Sequence, residues 1–318
     1  MEPIGQLLST PKGRLKVVIA VAVLIGLIGI VIGVSCRPHN DDEAIPEPDR
    51  SSTAPTTGSV PPTSSSAPSS SSPATPPPPP PPPVGARWQP RPGMTWQWQL
   101  DGKVDTGVNA DVFDIDAVDN DASVVSALHA KGKKVICYVD VGGVEQGRPD
   151  SGAFPKAVQG NTIEGWRDER WVDVRQLSTL EPIFAKRFQT CKDKGFDAIE
   201  ADQVEAYKEK SGFPLSQADQ VAFNRMLARL AHERGLSIGL KNALALIPQL
   251  VGEYDFAVNE QCAEFDECDK LSPFINAGKA VFHAEYDVPT SKFCPTSRRL
   301  KLSSIKKELD LNATRETC

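Results

Sequence analysis

Gly195-Phe-Asp-Ala-Ile-Glu-Ala-Asp202 reads as a glycine turn, a short apolar run and a charged tip. Before it, Leu177, Leu180, Phe184, Phe188 and Cys191 recur with helical spacing. A helix that stops at a glycine and feeds a buried strand is the simplest reading of the join. The pattern returns in Gly132-Lys-Lys-Val-Ile-Cys-Tyr-Val-Asp140, Gly235-Leu-Ser-Ile-Gly-Leu-Lys-Asn242 and Gly278-Lys-Ala-Val-Phe-His-Ala-Glu285. Near-continuous apolar strands alternating with helices imply a parallel sheet covered by helices. The expected fold class is therefore α/β, a (β/α)8 TIM barrel, with its chemistry where the strands end.

Working outward, strands are expected at 95–100, 112–116, 135–141, 198–202, 237–241, 256–260 and 280–285, with an eighth somewhere in 301–312. One helix begins at Asp121 and carries Val124, Val125 and Leu128. Another begins at Ser216, where Asp219 completes a capping box, and buries Phe223, Leu227, Leu230 and Ala231. Residues 142–170 form a long connection carrying Glu145, Arg148, Asp150 and Trp166, with Trp171 directly after it, and loops of that length inside a domain are usually functional. An open Rossmann-type sheet would need a Gly-x-Gly-x-x-Gly turn after its first strand. None is present, nor any phosphate loop, so no cofactor is expected.

Only part of the 318 residues has the composition of a folded domain. Residues 17–35 are apolar and uncharged behind Lys12, Arg14 and Lys16. That length just spans a bilayer core of about 30 Å, with the positive flank inside. A membrane anchor at 17–36, after a cytoplasmic segment 1–16, is the expectation; a cleaved signal peptide and a lipid-modified Cys36 are the alternatives. Residues 37–83 are Ser, Thr, Pro and Ala, too polar to bury a core, and end in eight consecutive prolines, Pro76 to Pro83. They read as a disordered stalk with a stiff rod of about 25 Å at its end. Residues 84–318 remain, close to the roughly 250 typical of a barrel. They carry 30 Lys plus Arg against 35 Asp plus Glu, without basic runs, which argues against a nucleic-acid partner.

The exported part holds six cysteines, and an oxidising compartment makes disulfides the default. Of fifteen connectivities, Cys262–Cys268, Cys294–Cys318 and Cys137–Cys191 are the expected set. The four histidines are scattered, so no metal site is expected.

Alternation along 198–202 puts Glu200 and Asp202 on one face, with Ile199 and Ala201 towards the helices. Glu260, in Phe256-Ala-Val-Asn-Glu260, ends a strand separated from Asp202 only by the one that ends in Lys241 and Asn242. Two carboxyls facing each other across a barrel mouth, with no metal and no histidine base, form the constellation of glycoside hydrolysis. The competing reading for Glu200 is a structural salt bridge to Lys241. Aromatic residues near strand ends (Trp96, Trp98, Tyr138, Tyr207 and Tyr286) suit a sugar ligand, although each alone is as readily core. Trp96 and Trp98 share the inward face of one strand and are not both expected in the core, so Trp98 is taken as a platform.

Further segments add a resemblance. Trp96-Gln-Trp-Gln-Leu-Asp-Gly102, Val112-Phe-Asp-Ile-Asp116, Val135-Ile-Cys-Tyr138, Arg148-Pro-Asp150, Gly195 to Glu200, Gly235 to Asn242, Asn259-Glu-Gln-Cys262 and Ala277 to Phe282 resemble glycoside hydrolase family 114 over residues 88–287. The resemblance implies an endo-α-1,4-polygalactosaminidase on a (β/α)8 barrel, held at the cell surface in some members by an N-terminal helix. It places the catalytic Asp at Asp202 and the catalytic Glu at Glu260, here read as nucleophile and general acid/base. Trp98, Asp116, Tyr138, Asp140, Arg148, Asp150, Glu200, Lys241, Asn242 and Glu285 are the candidate substrate-binding residues. The partner expected is an amino-sugar polysaccharide, met by a monomeric catalytic domain outside the cell. Two rival functions are an α-glycosidase for neutral galactose polymers and a non-catalytic carbohydrate-binding barrel. This chain departs from the family at Ala201 and Gln203, where Pro and Asn are usual, and at Asp140-Val-Gly-Gly143, commonly Ser-x-Gly-Ser.

Overall fold

The computed structural model describes residues 87–318. The expected segment 1–16, the anchor or signal 17–36 and the linker 37–83 lie outside the described residues. Among the described residues no helix is long and apolar enough to cross a membrane.

In chain order the elements are β1 (Trp96–Gln99), β2 (Val112–Asp116), α1 (Ala122–His129), β3 (Lys134–Asp140), β4 (Gly143–Glu145), β5 (Gln159–Ile163) and β6 (Trp166–Val172). They continue as α2 (Leu177–Asp193), β7 (Ala198–Asp202), α3 (Gln217–Glu233), β8 (Ser237–Lys241), α4 (Ile247–Leu250) and β9 (Phe256–Glu260). The last are α5 (Ser272–Asn276), β10 (Val281–Glu285), α6 (Thr290–Leu300), β11 (Ser303–Lys307) and β12 (Arg315–Thr317). The main sheet runs β1-β2-β3-β7-β8-β9-β10-β11-β12. Its first eight strands are parallel and β12 is antiparallel to β11. The result is a nearly closed barrel. Its seam is bridged where Leu100 and Asp101 N–H groups donate to Leu311 O at 3.0 and 3.4 Å and Gln97 Nε2 donates to Ala313 O at 2.8 Å. Arg315 donates across the same seam to Trp96 O.

The repeated glycine turns behave as their sequence demands. Gly132, Gly195, Gly235 and Gly278 all have φ between 69° and 92°, a left-handed conformation that side chains resist. At the start of α3, Asp219 N–H donates to Ser216 Oγ while Ser216 N–H donates to Asp219 Oδ2, the reciprocal cap read from the sequence. The cysteines pair as Cys137–Cys191, Cys262–Cys268 and Cys294–Cys318, the set expected. The first ties the outer face of β3 to α2.

Three expectations need correction. The barrel is not a full set of eight β/α units: α4 and α5 are single turns, and no helix joins β1 to β2. In that last connection Gln99 folds the chain on itself, its amide donating to Asp101 O and Lys103 O and accepting from Asp105 N–H. Second, the connection 142–170 is not structureless, since β4, β6 and β5 form a separate antiparallel sheet. Third, Trp98 is no platform. It and Trp96 are each 1% exposed and stacked with ring centroids 5.8 Å apart inside the barrel. Small residues leave them the room: Ala198, Ala280 and Ala284 line the same interior. Gly239 also has no space for a side chain, because a Cβ there would lie 2.3 Å from the Phe256 ring.

Candidate active site

The inward residues at the tips of β7, β8 and β9 are Asp202, Lys241 and Glu260. Each of these three strands is followed at once by a residue forced into the left-handed region: Gln203 (φ 60°), Asn242 (φ 51°) and Gln261 (φ 61°). Non-glycine residues in that region cost free energy and persist only where surrounding structure enforces them, commonly at functional sites. The chain thus turns sharply away three times in succession, leaving the tips open to the barrel mouth.

Lys241 is 2% exposed and organises the site. Its Nζ lies 3.0 Å from Glu200 Oε1, 3.1 Å from Asp202 Oδ1 and 3.3 Å from Glu260 Oε2. It also sits over the Trp98 ring, 4.6 Å from the centroid, a cation–π contact from below. Burial pushes the Lys241 ammonium towards neutrality, but Asp202, Glu200 and Glu260 outweigh it and hold its pKa well above the usual lysine value. The site therefore contains a permanent cation.

Asp202 accepts a second hydrogen bond at Oδ2 from the Tyr138 hydroxyl at 2.8 Å, and Gln203 N–H donates to Oδ1 at 2.9 Å. Glu260 Oε1 accepts from the Tyr286 hydroxyl, and Oε2 from Asn242 Nδ2 at 3.1 Å. Asn242 Oδ1 takes Glu260's own backbone N–H at 2.9 Å, so one amide fixes both ends of the residue. Burial, then the facing carboxylates, keep both phenols well above the normal tyrosine pKa, so each remains a donor. The side chains of Asp202 and Glu260 are 19% and 24% exposed, and those of Glu200 and Glu285 are 0%. Of these four carboxyls, only Asp202 and Glu260 can be reached from the mouth.

The remaining candidates split by depth. Glu200 makes the Lys241 salt bridge that was its competing reading and has no surface for a sugar. Glu285 accepts from Ala263 N–H at 2.7 Å and contacts His283 Nε2 at 2.8 Å, so it pins the Cys262–Cys268 loop instead of facing the cleft. Asp116 is buried and clamped by Arg148 at 2.7 and 3.1 Å while accepting Val118 N–H at 2.6 Å. Asp150 is held by Arg187 at 2.7 and 2.9 Å. These side chains spend their hydrogen bonds on the protein.

Asp140 is different: Gly142 and Gly143 N–H groups donate to its Oδ1, and it stands level with Asp202 on the neighbouring strand. Burial and then the Asp202 charge push its pKa up to about 7. Glu169, carried in by β6, is pushed up to about 8 by burial and then by Asp140. A cavity of about 270 Å³ lies between the ends of β2 and β3 and helix α2. Tyr138 and Asp140 are among its lining residues.

Sequence reasoning missed Tyr286 as a hydrogen-bond donor, Glu169, and the buried Asp114. Asp114 shares the inward face with Asp116, so the two-residue spacing was the available signal. Among the described residues one cluster carries metal-ligand atoms, Cys262, Cys268 and His283. Its sulfurs are joined to each other, and its imidazole contacts Glu285 and Ser304.

The sequence profile of glycoside-hydrolase family GH114 matches residues 79–318. Ega3 of Aspergillus fumigatus, solved in complex with galactosamine, is 36% identical, with TM-score 0.70 over 74% of this chain and 98% of that one. The glycoside hydrolase domain of PelA from Pseudomonas aeruginosa is 13% identical, with TM-score 0.57 over 71% and 98%, a likeness of fold. No curated protein matches the chain.

Proposed function

The chain belongs to glycoside hydrolase family GH114, and from that premise we propose that it cuts internally in an α-1,4-linked galactosamine polymer, with Asp202 as nucleophile and Glu260 as general acid/base. The observation that carries the reading is the shared ammonium. Two carboxylate oxygens within 3.1 and 3.3 Å of one Nζ are at most about 6.4 Å apart. Retaining glycosidases hold their carboxyl groups about 5–5.5 Å apart and inverting ones roughly 6.5–9.5 Å, to admit a water. The bound lies below the inverting range, and retention is the reading taken.

In that mechanism Asp202 Oδ attacks the anomeric carbon as the glycosidic bond breaks, and Glu260 gives its proton to the departing oxygen. A covalent glycosyl ester on Asp202 results. Glu260, now ionised, takes a proton from water, which attacks the same carbon and frees Asp202. Lys241 and the Tyr138 hydroxyl hold Asp202 to one geometry, while Asn242 and the Tyr286 hydroxyl do so for Glu260. Asp140, whose carboxyl titrates near pH 7, adds a further hydrogen-bonding carboxyl beside the nucleophile, suited to the amino group of a deacetylated sugar. The galactosamine complex of Ega3 supports the same class of substrate.

Three disulfides support action outside the cytoplasm. The apolar run 17–35 and the proline-rich 37–83 would then serve as anchor and stalk for the domain 84–318.

Proton NMR on partly deacetylated α-1,4-galactosaminan tests the reading. New reducing ends should appear first as the α-anomer; β-anomer first would mean inversion, and no cleavage would remove the proposal. Asp202→Asn and Glu260→Gln should each cut turnover by about three orders of magnitude or more with the thermal midpoint nearly unchanged. Near-normal turnover in either variant would strip that residue of its role.

A further inference from the structure

Directly beneath the catalytic tips lies a carboxyl group that the mechanism does not use. Asp114, on β2, stands in register with Trp98 on β1 and is 0% exposed. Neither of its oxygens meets any N–H or O–H donor. The group it faces is Glu200, another wholly buried carboxyl whose charge acts directly on it. Glu200 in turn has the Lys241 ammonium at 3.0 Å.

Two ionised carboxylates in contact, buried and without a donor between them, repel strongly; such pairs resolve by holding one proton. Lys241 decides where it goes. The ammonium touches Glu200, so Glu200 is the ionised partner and Asp114 the neutral one. Burial first, and then the Glu200 charge, push Asp114 well above the ordinary carboxylate range, with Lys241 opposing and Asp202 adding to the shift.

We propose that Asp114 is held protonated beneath the active site, donates that proton to Glu200, and so acts as a positioning residue that lets Glu200 anchor Lys241 between Asp202 and Glu260. An ammonium has three N–H bonds. Its Nζ has Glu200 at 3.0 Å below and Asp202 and Glu260 at 3.1 and 3.3 Å above, one carboxyl for each N–H. A charged Asp114 would compete for the same ammonium, while an apolar residue would leave a Glu200 oxygen with no partner.

Infrared spectroscopy of the full chain with carbon-13-labelled aspartate carboxyls tests the proton without any substitution. At about pH 9, where Asp140 has ionised, an aspartic acid carbonyl band should persist, shifted by the label. Its absence would overturn the proposal. The positioning role is read from turnover and therefore rests on the proposed hydrolase activity, whereas the infrared measurement does not. Asp114→Asn keeps the shape, the neutrality and a donor, and should leave kcat and KM within about twofold and abolish the band. Asp114→Leu lacks the donor and should lower kcat about tenfold or more, with KM changed much less. A folded Asp114→Asn as slow as Asp114→Leu, or an Asp114→Leu as fast as the native enzyme, would show that the carboxyl does not position Lys241. Failure of the native chain to cleave any galactosamine polymer would count against the hydrolase reading and leave the infrared result standing.

Discussion

Lys241, Glu200, Asp202 and Glu260 illustrate how far a single residue's role can be read from its spacing. Strand ends supplied Lys241 and Glu260, alternation put Glu200 and Asp202 on one face, and all four do face inward. Alternation carries no information about height along the barrel axis, and height separates a buried counter-ion from a cleft carboxylate. Glu200 stands one inward step below Asp202 and is closed over, while Trp98 stands at the level of the core. Glu285 was misread for another reason: Ala284 stands level with Glu260 and faces inward, so Glu285 lies on the opposite face of its strand. Asp140 offers a direct measurement at this scale. The folded protein keeps its proton up to about pH 7, whereas the unfolded chain releases it near 3.8. Between those limits the folded state binds more protons, so stability falls as pH rises. Asp140→Asn should therefore flatten the decline in urea-unfolding free energy between about pH 5 and pH 8. Asp114 and Glu169, also raised, would leave part of the slope in place. An unchanged slope would mean that Asp140 titrates as it does in the unfolded chain.

At the scale of elements, the strands were the most legible features: 112–116, 198–202, 237–241 and 256–260 were located to the residue. Long apolar runs between a glycine turn and a charged tip leave few other options. The sheet of β4, β5 and β6 was not legible, because Gln159–Ile163 is nearly all polar and the alternation in β6 is broken by a run of charges. That sheet joins the barrel through a tight crossing. A Cβ on Gly142 would lie 2.0 Å from Gln203 O and 2.6 Å from Gln203 Cβ, one residue beyond Asp202. Gly142→Ala should thus force the left-handed turn at Gln203 to move. We expect a loss of about 1–3 kcal/mol in stability and a larger proportional fall in kcat, measured by urea unfolding and initial rates. Full activity would show that the turn at Gln203 is free to shift.

For the whole molecule, the order of the parallel strands follows the chain and was foreseeable, but the way the barrel meets itself was not. A short polar segment, 311–317, completes the seam, and nothing in its composition marks it as part of a barrel. Cys294–Cys318 ties that segment to α6, closing a loop of 24 residues. Replacing both cysteines by serine should lower unfolding free energy by about 2–4 kcal/mol. The same change should expose β1 to hydrogen exchange before β7 or β8. Uniform loss of protection would place the weak point elsewhere.

The seam also sets an order of events in time. Its contacts join Gln97 to Ala313 and Trp96 to Arg315, residues 216 and 219 positions apart, whereas most strand pairs join near neighbours in the chain. Contacts across such separations carry the greatest loop-closure entropy and slow folding most. The stacked Trp96 and Trp98 line the interior that this closure seals. During refolding their indole emission should therefore reach its native value later than the far-ultraviolet signal of the helices, making the two rings a clock for the moment the barrel shuts.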